Sequence, residues 1–171
     1  MKLVSPLAAA LVSAVLLSIA TGCGGSSPSA PPTTPTKEEA RAETPAERCL
    51  AIAGASRERR PDEPAKITAK HILVKYAGAK RAPETVTRTR EEACLRALEA
   101  REKLQEGVSF AEVVQSYSEE PGAATREGSL GSIQRTDVVP AFADAAFELG
   151  RGDVSHVVET DYGFHIIMRT E

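Results

Sequence analysis

The sequence predicts one α+β domain that follows a long N-terminal segment of different character. Three observations predict it: a β-branched run at residues 66–76, two capped helical segments after it, and a closing order of short strand, short helix and two strands. The order β-α-α-β-α-β-β, with pairing between neighbouring segments, is that of a compact α+β domain. A chain of 171 residues has room for one such domain and a tail.

The first strand is predicted at "KITAKHILVKY", residues 66–76, where β-branched residues recur with a period of two. Alternation places one set of side chains on the same face: Ile67, Ala69, His71, Leu73 and Lys75. Ile72 and Val74 lie on the other face. The loop that follows carries turn residues and a basic pair.

Two helices are predicted from their N-terminal caps. Thr89 followed by Glu92 is a capping-box pattern, and the helix it opens runs to Gly107. Ser109 and Glu112 repeat the pattern in front of "FAEVVQSY".

The remaining elements are short. A glycine-bearing loop leads to a strand around residues 130–133, and Pro140 suits the first turn of a helix that reaches Gly150. The last twenty residues predict two strands joined by a turn at residues 161–163.

The N-terminus has the layout of a secretory signal, with Lys2 before an apolar run that ends at Ala20. "IATGC", residues 19–23, resembles the lipobox of bacterial lipoproteins, which implies a signal peptide at residues 1–22 and a lipid on Cys23. Gly24 in place of Asp favours the outer membrane over the inner one by the same resemblance. The expected location is therefore the bacterial cell envelope, facing the periplasm. An uncleaved anchor helix is the alternative, since the run is close to the length that spans a bilayer.

Residues 23–65 are predicted to be the lipidated cysteine and a flexible tether, because Ser, Pro, Thr and charge dominate their first half. A short helix near residues 47–55 and further linker are both open. Cys49 and Cys94 could pair in an oxidising compartment or stay as two small unpaired side chains. The globular domain is placed at residues 66–171.

Composition excludes several classes of function. The net charge of −3 gives no bulk basicity for nucleic acid, and 4% aromatic residues with no Trp weaken a base-stacking surface. His71, His156 and His165 lack the short spacing of metal ligands, so neither a metal nor a cofactor is expected.

Four segments carry a resemblance to a known family: "HILVKY", "FAEVVQSYSEEPGA", "GSLGSI" and "VVPAFADAAFELGRGDVSHVVETDYGFHIIMRTE". They resemble the parvulin family of peptidyl-prolyl cis/trans isomerases, from Lys66 to Glu171. The resemblance implies a four-stranded antiparallel sheet surrounded by helices, with an open groove for proline-containing polypeptides.

The family's site residues carry over to named positions. The resemblance implies four catalytic residues, His71, Glu120, Thr160 and His165, and an apolar proline slot of Leu130, Val138, Val139 and Phe142. Glu120 stands where the family usually has Cys or Asp, and Tyr162 where some relatives have Ser. Ordinary alternatives are core packing for the slot residues, structural strand histidines, and a solvated acidic pair for Glu119 and Glu120.

The implied reaction is rotation about the X-Pro bond, whose resonance barrier is about 20 kcal/mol. No bond is broken, so a catalyst must bind the twisted amide better than the planar one. The alternative is a parvulin-shaped binding or holdase module with little turnover.

A basic cluster follows the first strand. Lys75, Lys80 and Arg81 resemble the phosphate-directed branch of the parvulins, in a shorter loop, and predict a preference for an acidic residue before proline. The alternative is a solvated charged loop.

Overall fold

The computed structural model describes residues 43–171. The predicted signal peptide at residues 1–22, Cys23 and the first part of the tether lie outside these residues. In chain order the elements are α1 (Pro45–Ala53), β1 (Ile67–Val74), α2 (Arg90–Gln105), α3 (Phe110–Tyr117), β2 (Ser129–Ile133), a 3-10 helix (Arg135–Asp137), α4 (Pro140–Glu148), β3 (Val158–Thr160) and β4 (Gly163–Arg169).

The four strands form one antiparallel sheet in the order β2-β1-β4-β3. β1 is central, and its register with β4 places Leu73 opposite His165 and His71 opposite Ile167. His71 and His165 are therefore diagonal neighbours on one face, close enough for side-chain contact. The four-stranded antiparallel sheet surrounded by helices is confirmed.

Each face of the sheet carries its own apolar cluster. Ile72 and Val74 of β1 pack with Phe164 and Ile166 of β4 against α1, α2 and α3. The opposite face carries Ile67, Ala69 and Ile167, which pack against α4. Because side chains alternate along a strand, His71 and His165 point to the α4 face. The alternation predicted from residues 66–76 is confirmed.

The helix starts follow the predicted caps. The Thr89 and Ser109 hydroxyls accept from the backbone N–H groups of Glu92 and Glu112, and each glutamate accepts in return from the cap residue. These reciprocal bonds satisfy N–H groups that the first helical turn leaves free. No helix within residues 43–171 combines the length and apolar character needed to cross a bilayer.

α1 is a folded element of this unit. Thr44 caps it with Glu47, Pro45 opens it, and Cys49 is joined to Cys94 of α2 by a disulfide. Cys49 and Ala53 are buried in the cluster with α2 and α3. The helix alternative near residues 47–55 is therefore the one observed, and the compact unit extends well before residue 66. The sequence left this helix open as one of two alternatives because a nine-residue helix is held by tertiary contacts rather than by its own propensity.

Three local features differ from the sequence prediction. β1 ends at Val74 rather than residue 76, because the backbone N–H of Lys75 donates to the Glu119 carboxylate at 2.7 Å. β3 begins only at Val158, because the Ser155 hydroxyl takes a ladder position and accepts from Ile167 N at 2.9 Å. The 3-10 helix was not predicted, and Gln134 N donates to Asp137 Oδ2 across it at 2.8 Å.

The β3–β4 turn depends on a glycine. Gly163 has φ of 132°, and a Cβ there would lie 2.4 Å from the carbonyl oxygen of Val74. Only glycine fits such a close approach to the neighbouring strand. The turn predicted at residues 161–163 thus brings Thr160 and His165 together.

Candidate active site

A cavity of about 720 Å³ opens on the α4 face of the sheet. Its residues come from strand faces, from the loops after β1 and α3, from the segment between β2 and α4, from the first turn of α4 and from the β3–β4 turn. They are His71, Leu73, Lys75, Arg81, Glu120, Pro121, Leu130, Thr136, Asp137, Val138, Val139, Pro140, Phe142, Tyr162 and His165.

The apolar part of the cavity centres on Phe142. Its side chain is 3% exposed, and its ring stands edge-on to the imidazoles of His71 and His165, with centroids 5.7 and 5.3 Å away. Leu130, Val138 and Val139 are partly buried and pack against the same cluster. The predicted slot residues are thus brought together, and Phe142 also belongs to the core, as the ordinary alternative expected.

The polar part is a row of four side chains. The Nδ1 atoms of His71 and His165 are 3.3 Å apart, and Nε2 of His165 is 2.8 Å from Thr160 Oγ1. At the other end, Nε2 of His71 contacts the Glu120 carboxylate. Three members line the cavity and Thr160 lies behind them, 9% exposed.

The row has one self-consistent set of protons when both histidines are neutral and Glu120 is ionised. The Thr160 hydroxyl accepts from Tyr162 N at 3.1 Å and donates its proton to Nε2 of His165. His165 then donates from Nδ1 to Nδ1 of His71, and His71 donates from Nε2 to Glu120. Any other neutral assignment would set the His71 Nε2 lone pair against the carboxylate or the two Nδ1 lone pairs against each other.

The electrostatics support the neutral His165 and the ionised Glu120 of this assignment. Burial lowers the pKa of His165 to about 3, and repulsion from His71 adds to burial, so its imidazole is neutral at physiological pH. The hydrogen bond from His71 holds the pKa of the Glu120 carboxyl below its ordinary value, against the opposing effect of burial. The positive charge of Arg126 lowers it further.

Arg126 and Glu119 have structural roles that the sequence did not reveal. The Arg126 guanidinium donates to Glu120 Oε2 at 2.5 Å and to the carbonyl of Pro121 at 3.2 Å. Glu119 instead pairs with Arg88 at 2.6 Å and accepts from Lys75 N. The two glutamates are therefore not a solvated acidic pair, since each carboxylate is bound on a different side of the loop.

The basic loop divides into a buried and an exposed part. Lys75 is 4% exposed, and its ammonium donates to the carbonyl of Arg81 at 2.7 Å, so it supports the loop as well as lining the cavity. Arg81, whose φ is 60°, lines the cavity; Lys80 lies outside that lining. Their cationic groups lie 5.9 and 5.1 Å from the centroid of the Tyr162 ring.

Two further residues that line the cavity could have been found from the sequence. Leu73 shares the His71 face by strand alternation, and Tyr162 sits in the predicted turn. Nothing in the sequence indicated that Thr136 and Asp137 line the cavity, because their 3-10 helix was not predicted.

Residues 71–171 match the family model described as the rotamase, or PPIC-type PPIase, domain. The chain is 40% identical over 109 residues to the peptidyl-prolyl cis-trans isomerase pin1 of Schizosaccharomyces pombe, covering 61% of this chain and 62% of that protein. It is 41% identical over 106 residues to the foldase protein PrsA of a Geobacillus species, covering 62% of this chain and 32% of PrsA.

The fold is similar to that of the solved peptidyl-prolyl isomerase ESS1 from Candida albicans. The TM-score is 0.57 at 28% identity, and the match covers 67% of this chain and 66% of ESS1. The matched region thus spans less than two thirds of each of these three relatives.

Proposed function

The chain belongs to the family of PPIC-type peptidyl-prolyl cis/trans isomerases, the parvulins, and from this premise we propose how its cavity works and where. The domain is a peptidyl-prolyl isomerase. We propose that Leu130, Val138, Val139 and Phe142 hold the proline ring of extracytoplasmic client polypeptides. The observation that carries this is the buried Phe142 ring, set edge-on against both histidines at the floor of the cavity.

Catalysis is by differential binding. Uncatalysed X-Pro rotation takes tens to hundreds of seconds, because the planar amide is stabilised by resonance. A slot that fixes the ring while the preceding carbonyl turns stabilises the twisted amide relative to the planar one. No covalent step is required.

The polar row gives this proposal its electrostatic part. Glu120 presents an ionised carboxylate at the cavity, held in place by His71 and Arg126. His165, backed by Thr160, fixes the tautomer of His71, so the row is organised before substrate arrives. Groups fixed in advance do not reorganise as the amide twists, which favours the transition state.

We place the protein in the bacterial cell envelope, anchored through a lipid on Cys23. The support is the signal-like run at residues 3–20, the "IATGC" pattern, and a disulfide between Cys49 and Cys94 of the kind that persists in oxidising compartments. The same proposal includes an outer-membrane location and a flexible tether between Cys23 and α1. The relative named a foldase fits a role in folding exported polypeptides.

We propose in addition that the rim selects an acidic residue before proline, with phosphoserine also accepted. Arg81 lines the cavity and Lys80 lies beside it, both near the Tyr162 ring. Two cations at one edge of the slot suit a carboxylate or a phosphate at that position.

The activity is tested by measuring cis/trans isomerisation of a proline peptide with the full chain in detergent. We expect catalysis of the peptide and faster refolding of a protein whose folding is limited by proline isomerisation. Tight peptide binding with an uncatalysed rate would instead support the holdase alternative.

A further inference from the structure

The segment between α1 and β1, residues 54–66, is named the strap here because it links the two faces of the sheet. It leaves α1, which packs on the α2 face and is joined to α2 by the disulfide. It then makes two ionic contacts on the α4 face, Arg57 with Glu148 and Glu63 with Arg135. A solvated tether would make neither contact.

Glu63 is the strap's buried charge. Its side chain is 3% exposed, and its Oε2 lies 3.1 Å from Nε of Arg135 and 3.4 Å from Nε of Arg59. Oε2 is buried without an aligned hydrogen bond. Two guanidinium charges therefore offset its desolvation, and of these Arg135 is the more buried, at 19% against 71% exposed.

Arg135 is held on three sides. Besides Glu63, it donates to Asp144 Oδ1 of α4 at 2.8 and 2.9 Å, and its guanidinium lies 5.4 Å from the Phe147 ring centroid. A planar guanidinium with fixed donors transmits the position of its partners to its own backbone.

The backbone of Arg135 leads directly into the slot. The four residues after it, Thr136, Asp137, Val138 and Val139, line the cavity and are named the slot wall here. The wall's backbone bond from Asp137 N goes to Gln134 O within the same turn, so it does not tie the wall to the sheet. The wall continues directly into α4, where the Val139 carbonyl accepts from Ala143 N, and the Arg135 side chain adds a bond to Asp144 of α4 and connects the turn to the strap.

We propose that Glu63 is a positioning residue for isomerisation. Through Arg135 it fixes the slot wall, and the strap is a working part of the active site rather than a linker. The proposal rests on the proposed function of the slot. It implies that a fragment starting near residue 66 keeps the family motifs and loses part of its catalytic power.

The test compares full-length variants in a peptide isomerisation assay. Glu63→Gln should lower kcat/KM by about fivefold, the scale of coupling between neighbouring charged groups, mainly through a higher KM. Arg59→Gln is the matched control, because it removes only the exposed partner of Glu63, and kcat/KM should stay within about 1.5-fold of wild type.

A double-mutant cycle shows whether Glu63 acts through Arg135. In an Arg135→Lys background, Glu63→Gln should have little further effect on kcat/KM. Additive losses, or wild-type kcat/KM for Glu63→Gln alone, would overturn the proposal. Should Glu63→Gln unfold, Glu63→Asp takes its place in the cycle, since it keeps the charge and withdraws it by one methylene.

A second readout does not depend on catalysis. The methyl NMR signals of Val138 and Val139 should shift in Glu63→Gln and not in Arg59→Gln. Unchanged methyl signals in Glu63→Gln would reject the role of the strap, whether or not the wild-type protein is active. An inactive wild-type protein would count against the proposed function alone.

Discussion

The imidazoles of His71 and His165 face each other through their Nδ1 atoms, 3.3 Å apart on neighbouring strands. One of these nitrogens carries a proton and the other accepts it, so the tautomer of each ring determines that of the other. At one end the Thr160 hydroxyl donates to His165, which sets the direction of the hydrogen bonds, and at the other end the Glu120 carboxylate accepts the last of them from His71. The four side chains therefore act as one unit.

Stability should fall as the pH drops from about 6.5 towards 3. His165 has an ordinary pKa of 6.5 when unfolded and about 3 when folded, so the unfolded state binds more protons in this window and unfolding is favoured. The slope of unfolding free energy against pH should reach at most about 1.4 kcal/mol per pH unit from this residue.

Urea unfolding across this range measures that slope. His165→Asn should flatten it, and the lowered pKa of Glu120 adds loss in the same direction at the acidic end. His156→Gln is the comparison: the pKa of His156 is also lowered, chiefly by burial, but by less than that of His165, so its removal should flatten the slope less. An unchanged slope in His165→Asn would contradict the assignment.

Glu120→Gln should lower kcat/KM by between about tenfold and a hundredfold, the range for a misplaced group at a reaction centre. The amide can donate to His71 and reverse the hydrogen bonds of the row. Glu120→Asp keeps the charge and should retain more activity. Glu127→Gln, an exposed glutamate in the same loop, should stay within about twofold of wild type. Equal kcat/KM values for all three variants would show that Glu120 has no role in catalysis.

Phe142→Ala should abolish most catalysis and lower the unfolding free energy by about 3 kcal/mol, because the ring is buried and also floors the slot. Phe164→Leu is the control change, because this phenylalanine is buried in the cluster on the opposite face of the sheet, outside the cavity lining. It should cost stability by about 1 kcal/mol and leave kcat/KM near wild type. Full activity in a folded Phe142→Ala protein would show that the slot lies elsewhere.

Peptides that differ only before proline should rank with Glu-Pro above Leu-Pro and Lys-Pro at low salt. The preference should shrink as ionic strength rises, since exposed charges are screened. It should vanish when Lys80 and Arg81 both become Ala, and persist in Arg151→Ala, which removes an exposed cation outside the cavity lining. A wild-type protein with equal rates on the three peptides has no such specificity.

Cys23→Ser should accumulate as unprocessed precursor without a lipid label, because the thiol is the proposed acceptor of the lipid. Labelling cells with a radioactive fatty acid and following precursor size by electrophoresis measures both effects. If the variant is processed to the normal size, ordinary secretory cleavage replaces the lipoprotein proposal.

Local rules predicted much of this fold. Strand alternation alone placed His71 and Leu73 on the same face of β1, and the caps at Thr89 and Ser109 predicted two helix starts. Identification of Thr160 and His165 as partners needed the family resemblance, since a lone strand histidine carries no such signal.

Other parts of the site depend on contacts between distant residues. Glu63 and Arg135 are 72 positions apart in the sequence, and nothing in either neighbourhood predicts that they meet. In the sequence Arg126 is indistinguishable from other surface charges, and only the folded loop brings its guanidinium to the Glu120 carboxylate. The burial of Lys75 likewise follows from the path of the loop above it.

The Cys49–Cys94 bond also determines how the domain carries mechanical load. A pull on the chain ahead of residue 49, resisted at the C-terminus, passes through the sulfur atoms into α2 and bypasses residues 50–93. That shielded loop contains the strap and β1 with His71. Tension along the chain therefore cannot extend this half of the catalytic face while the covalent link is intact. Reduction would lengthen the contour of the stretched molecule by the whole loop, a step that single-molecule force spectroscopy can resolve.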